Sequence, residues 1–292
     1  MPERPNLLFL MTDHQRADST GMVQAGPEVT PHLNRLASKS TVLTRAYTTC
    51  PLCVPARTAL ATGTYPTRNG VVVNDWRGQT AGDYKPIHQL SAEAGDEVGH
   101  VGVHHIRVRP GLRQRVTFAK WTDNSDYAQH LQYHGIDPTP AEGADAFRRE
   151  VTENQEGRQE RQKYSNTTTA TWPHPLEHFR DNYFRDEAIA FLKQEHAAAW
   201  ALFVCLWAPH PPLRVPRPYD ALFDPARLEL PANVGVPATA EPANRRQGIT
   251  AQLAEGVPLD QWRRLWPAHL GLVAMADAAL GEILGTLETT GQ

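Results

Sequence analysis

Cysteine is scarce in this chain: three residues among 292 exclude a disulfide framework. Long apolar runs are missing as well. None approaches the ~20 residues that cross a bilayer, so the sequence predicts no membrane partner. The first apolar stretch, Leu7-Leu8-Phe9-Leu10-Met11, is too short for a secretory leader, and no cleavage-like site follows it. The chain as written is therefore expected in the cytoplasm. Charge of one sign is also lacking. With 29 basic and 32 acidic side chains the formal net charge is -3, so no general field draws the chain toward nucleic acid. An anionic substrate must then be held by a local group of cations. No internal repeat is visible.

What is present is ordinary globular material, with 40% hydrophobic and 21% charged residues and 24 prolines, many of them in loop-like stretches. Strand-like and helix-like segments alternate, which predicts a layered α/β fold on a mostly parallel sheet. Residues 5–11 read as a buried parallel strand ending in the polar Thr12-Asp13-His14, at the sheet edge where α/β proteins build sites. Thr30-Pro31 reads as a helix start with Thr30 as N-cap. Residues 41–47 are rich in β-branched side chains and predict a strand. A helix over 57–62 closed by Gly63, a helix over 87–94 and a strand over 98–103 follow. Residues 148–169 are charged and without period, and read as a surface excursion. A helix over 178–196 precedes a strongly apolar strand over 200–207 and an irregular Pro-rich stretch over 213–242. The last element is a helix over 259–290, which Pro267 should kink or split and Gly291 should cap. Asp277, inside its apolar stripe, reads as a capping or buried hydrogen-bonding group.

The chemistry concentrates at Cys53-Val54-Pro55-Ala56-Arg57, followed by Thr58-Ala59-Leu60-Ala61-Thr62-Gly63. A nucleophile at a helix N-terminus meets free N–H groups and the positive end of the dipole, which favour an oxyanion. Arg57, one turn on, offers a fork of donors to a charged group. Cys50-Pro51-Leu52-Cys53 is also a CxxC. A redox reading leaves the Pro-x-Arg continuation unexplained, and a structural zinc site lacks its second ligand pair. Cys205 reads as a buried thiol. Of the 13 histidines, His32, His178 and His196 read as surface-helix residues and His104 as a packing residue.

The motif resembles the sulfatase signature Cys-x-Pro-x-Arg with its small-residue helix and Thr-Gly. Asn6 to His14 resembles the first strand of the same alkaline-phosphatase superfamily, with Asp13 at the position of a metal-binding Asp and His14 at the next. Val101-Gly102-Val103-His104-His105 is similar to the family's Gly-Lys-Trp-His, with His105 on the His and Val103 in place of the Lys. Trp207-Ala208-Pro209-His210-Pro211-Pro212 resembles the family's Pro-His-x-Pro loop, with His210 facing the leaving group. Asn74, in Val71-Val72-Val73-Asn74-Asp75, matches a polar position near the substrate.

The resemblance implies a three-layer α/β/α sandwich and a sulfuric ester hydrolase. Cys53 would be oxidised to formylglycine by a formylglycine-generating enzyme, and its hydrated form would attack sulfur in a small sulfate ester. Arg57 would hold the anion, His210 would protonate the departing alcohol, and His105 would help to regenerate the aldehyde. Asp13, His14 and the Cys53-derived group would hold a divalent metal, with Ca2+ expected and Mg2+ or Mn2+ as alternatives; His14 suits Mn2+ or Zn2+ better. The missing Lys at 103 is shared with the phosphonate monoester hydrolases, so a phosphonate monoester or phosphodiester substrate is the rival reading. The final helix resembles the family helix before a strand ending in Ser-Asp-His-Gly or Ser-Asp-Asn-Gly, which brings two more metal ligands. The resemblance thus implies that residues 1–292 are the N-terminal portion of a truncated catalytic domain, its C-terminal strands missing. Weak metal binding, an open sheet edge and a non-catalytic fragment or pseudo-enzyme are the corresponding expectations.

Overall fold

A computed structural model describes residues 4–74, 78–82, 84–155, 158–236 and 240–292. Its strands are β1 (Leu7–Met11), β2 (Glu97–Gly102), β3 (Lys120–Thr122), β4 (Arg148–Gln155), β5 (Arg158–Ser165), β6 (Thr169–Trp172), β7 (Trp200–Cys205) and β8 (Leu213–Pro216). Its α-helices are α1 (Pro31–Ala37), α2 (Cys53–Thr62), α3 (Pro66–Asn69), α4 (Ile87–Glu93), α5 (Leu112–Arg115), α6 (Asn124–Tyr133), α7 (Arg180–Leu192), α8 (Ala243–Arg246), α9 (Ile249–Ala254) and α10 (Leu259–Thr290).

The central sheet runs β1-β7-β2-β3 and is parallel throughout. β7 lies between β1 and β2, and all six of its residues are buried. Alternate side chains serve opposite faces. Leu202 and Val204 pack with Phe184, Phe191 and Leu192 of α7 and with Met275, Ala279 and Ile283 of α10. Ala201 and Phe203 face the other way, toward Val98, Val116, Phe9 and Ala92 of α4. The result is three layers, and each large apolar side chain buried in them contributes roughly 1.5–3 kcal/mol. Among the described residues β1 pairs only with β7 and is half-buried, so it forms an edge instead of the fully buried strand its composition predicts.

α10 continues through Pro267 without splitting and is capped by Gly291 at φ 69°. It is long and apolar enough to cross a bilayer, but 67% of its most apolar window is buried in the protein. Two glycines notch it. A Cβ on Gly271 would lie 2.4 Å from the Tyr219 carbonyl oxygen, and one on Gly281 would lie 2.1 Å from Nδ1 of His32. Asp277, between them, accepts the backbone N–H groups of His32 (2.9 Å) and Leu33 (2.8 Å). It therefore caps α1, a task the sequence assigns to Thr30, whose hydroxyl bonds to the Ser19 carbonyl oxygen and Asn34 instead.

Residues 41–47 are loop, not strand. Their β-branched side chains find no strand to pair with, and Leu43 and Tyr47 are 76% and 87% exposed. Residues 148–169 are more ordered than their polarity suggests: β4 and β5 pair antiparallel from Arg148↔Ser165 inward, although most of β5 faces solvent. The Pro-rich stretch also holds a strand, β8, parallel to β6. His196 is no surface-helix residue. Its ring is 6% exposed and bonds Glu97 at 2.9 Å.

Candidate active site

Three neighbouring parallel strands end at one edge, and each hands a polar residue to it. β1 is followed by Asp13 and His14, β7 by the loop to His210, and β2 by the turn to His105. Gly102 makes that last turn possible. Its φ is 103°, and a Cβ there would sit 2.0 Å from the Cys205 carbonyl oxygen. Helix α2 points its N-terminus at the same edge. It begins at Cys53 itself, one turn earlier than the sequence suggests, and ends at Gly63 in the left-handed conformation. The side-chain oxygen of Asn74 accepts the N–H of Val54 at 3.0 Å, so it caps α2 directly beside Cys53. Asp75, which closes that run, lies outside the described residues.

Arg57 is buried and holds the group together. Nη1 donates to the Val103 carbonyl oxygen at 2.5 Å, and Nη2 donates to Oδ2 of Asp13 at 3.1 Å. Val103 itself is 1% exposed and packs into the main core. Oδ1 of Asp13 lies 3.8 Å from Nε2 of His14. The rings of His14 and His210 are 4.3 Å apart, and the Trp207 ring lies 3.9 Å from that of His210, tilted by 33°. One potential ligand atom from each of His14, Cys53 and His210 falls within 4.8 Å of the others. His105 is half-buried beside them, its ring 6.4 Å from Trp207 and edge-on to it. His14 (φ 61°) and His105 (φ 49°) both take the left-handed backbone that non-glycine residues avoid, a cost of roughly 1–3 kcal/mol each that is typical of functional positions.

Burial keeps His105, His210 and Cys53 neutral. Burial and then the Arg57 charge push His105 down to about 3. Burial and then His14 push His210 down to about 4. Nδ1 of His210 donates to the Pro211 carbonyl oxygen at 2.5 Å, which leaves Nε2 with its lone pair. Burial raises the Cys53 thiol, Asp13 raises it further, and Arg57 only partly opposes them. Cys53 is thus a protonated thiol at neutral pH and a poor nucleophile as it stands. One carboxylate and two imidazoles converging beside it fit a divalent cation, and the nitrogen donors suit Mn2+ or Zn2+ more than Ca2+.

Two residues that the sequence does not flag complete the site. Asp181, in the first turn of α7, is fully buried and accepts the N–H groups of Trp207 (2.6 Å) and Ala208 (2.9 Å). Arg180 stacks its guanidinium 4.9 Å from the Trp207 ring. Both shape the loop that carries His210, and an Asp near a helix start gives no sequence hint of that long-range task.

The Sulfatase family model matches residues 5–292. The chain belongs to the sulfatase family. Over 74 residues this sulfatase-family chain is 36% identical to an ulvan-active sulfatase of Formosa agariphila, covering 25% of the chain and 14% of that protein. It is 25% identical over 324 residues to the multifunctional alkaline phosphatase superfamily protein PehA of Trinickia caryophylli, covering 99% of the chain and 60% of PehA. Its fold is similar to that of the phosphonate monoester hydrolase SpPMH from Silicibacter pomeroyi, with a TM-score of 0.74 at 24% identity over 99% of the chain and 60% of that structure. The chain therefore spans about 60% of the length of these two end-to-end matches.

Proposed function

We propose that this chain carries the nucleophile-bearing part of a sulfuric ester hydrolase whose nucleophile is a formylglycine made from Cys53. The observation that supports this most is the convergence of His14, Cys53 and His210 within 4.8 Å at the head of α2, beside the buried Arg57–Asp13 pair. A protonated thiol is the wrong nucleophile there, whereas the hydrate of the aldehyde supplies an oxygen in the same place. The positive end of the α2 dipole and the Arg57 charge favour the negative charge that builds on that oxygen and on the ester. Asp13, His14 and the group at position 53 would hold a divalent cation, which polarises the ester oxygen when bound. Arg57 fixes Asp13 and contributes the positive charge beside the group at position 53. His210, neutral in the free site, takes up a proton as the anionic substrate arrives and gives it to the departing alcohol. His105 accepts a proton as the aldehyde is regenerated.

Position 103 favours a second reading, a phosphonate monoester or phosphodiester as substrate. Val103 is locked in the core and only its carbonyl reaches the site, so one cation fewer faces the transferred group.

The test has two steps. The chain is treated with a formylglycine-generating enzyme, and the peptide containing Cys53 is weighed. The treated protein is then assayed with an aryl sulfate and an aryl phosphonate, before and after chelation and metal return. Conversion followed by metal-dependent turnover of the sulfate is expected. An unchanged Cys53 mass, or equal turnover by Cys53→Ala, sinks the proposal, and preference for the phosphonate selects the second reading.

A further inference from the structure

A second histidine cluster lies apart from the group at the sheet edge. α6 starts at a strong cap, where Asp123 accepts the N–H of Ser125 and Asp126 accepts that of Asp123. His130 sits in its last turn and His134 is the residue that ends it. Four residues apart, their rings share one face of the helix. His178 ends the 3-10 turn Leu176–His178 that leads into α7, and Tyr127 fastens this turn to α6 by donating its hydroxyl to the His178 carbonyl oxygen at 3.0 Å.

The three rings meet in a triangle. Their centroids are 4.6 Å apart for His130 and His134, 5.1 Å for His130 and His178, and 4.5 Å for His134 and His178. Nε2 of His130 is 3.0 Å from Nδ1 of His178, and one nitrogen from each ring lies within 4.8 Å of the others. Burial, followed by the two neighbouring imidazoles, lowers the pKa of His130, while Glu187 and Asp186 of α7 act on it in the opposite sense. Three imidazoles with converging nitrogens make a place that accepts a borderline cation. A zinc ion bound by three imidazoles at 2.0–2.1 Å needs nitrogens about 3.3–3.5 Å apart. The His130–His178 pair is already inside that separation, and the exposed His134 has about 1.5 Å to travel at most.

We propose that His130, His134 and His178 bind a borderline transition-metal cation such as Zn2+ and clip the end of α6 to the start of α7. The fourth position is left to water. The clip would close the stretch between residues 130 and 178, which carries the β4–β5 hairpin, and would stabilise the native state by mass action. It does not depend on the hydrolase reading, because no residue is shared with that site.

The test uses Zn2+ alone at neutral pH on the full chain. His14→Ala is introduced first, to remove the competing cluster with Cys53 and His210. Competition against a chromophoric chelator should give one tightly bound equivalent, and Zn2+ should raise the melting temperature. Adding His134→Ala, an exposed position whose metal-free melt serves as a folding control, should weaken binding at least tenfold. Co2+ should give the visible absorption of a tetrahedral nitrogen site in the His14→Ala protein and lose it in the double variant. Absence of a bound equivalent in the His14→Ala protein, or unchanged affinity in the double variant, overturns the proposal.

Discussion

Arg57 and Asp13 form a buried ion pair, Nη2 to Oδ2 at 3.1 Å, with the two side chains 5% and 11% exposed. The pair joins the head of α2 to the end of β1, so the proposed nucleophile and the proposed metal ligand are set by one contact. Removing one partner strands the other charge in the interior. Arg57→Ala should lower stability by about 3–5 kcal/mol, and Asp13→Asn in the same background should recover part of the loss. Urea melts of the two single variants and the double variant give the coupling. Strictly additive losses would show that the pair contributes nothing as a pair.

Asn74 acts on Cys53 through the helix. Its side-chain oxygen holds the N–H of Val54 at 3.0 Å. Asn74→Ala should cost about 1 kcal/mol, as other lost N-caps do, and Asn74→Asp should keep the cap. Thermal melts of both variants check this, and equal destabilisation by Ala and Asp would rule the cap out.

Asp181 offers a sharper contrast. Burial raises its carboxyl pKa, and its Oδ1 takes two backbone donors from the His210 loop. Asp181→Asn keeps that acceptor and should melt within about 1 kcal/mol of the parent, whereas Asp181→Ala leaves two buried N–H groups unpaired at about 1–3 kcal/mol each. Equal losses from the two variants would contradict the loop-holding role.

Acid should destabilise the fold through His88 and His100. The two buried rings are 3.3 Å apart, Nε2 to Nδ1, and His88 lies against Phe203. Burial depresses His88 to about 3 and His100 well below its ordinary value. From pH 6.5 down to about 3 the unfolded chain binds a proton at His88 that the folded chain refuses, so stability falls across that window and is flat above it. The slope is on the order of 1.4 kcal/mol per pH unit for each such histidine. Urea midpoints at pH 7.5 and 5.0 should differ, and His88→Leu should flatten the difference. A midpoint that does not move between those pH values would refute the effect.

Much of the site is legible in the chain because its chemistry needs fixed residue types at consecutive positions. Cys53 to Arg57, Asp13-His14 and Trp207 to His210 each sit on a single turn or strand end, and the parallel sheet brings those ends together. What is hidden depends on distant partners. Asp277 reads as a capping or hydrogen-bonding group, as it proves to be, but its target α1 lies 245 positions away, and Asp181 holds the His210 loop across 26. The β4–β5 hairpin is hidden for another reason: with most of β5 wet, alternation of apolar and polar residues has nothing to report. Residues 41–47 show the converse, since β-propensity without a partner strand leaves a loop.

Gly271 and Gly281 lie ten residues apart on α10, about 15 Å along its axis and on different sides of it. Each admits a foreign backbone or ring where a methyl group would collide. Together they work as two keyways on a shaft. A helix gripped this way can neither rotate nor slip by a turn of about 5.4 Å without driving a side chain into Tyr219 or His32. An inserted or deleted residue between the notches would turn one of them about 100° out of line. That stretch of α10 should therefore tolerate changes of side chain far better than changes of length.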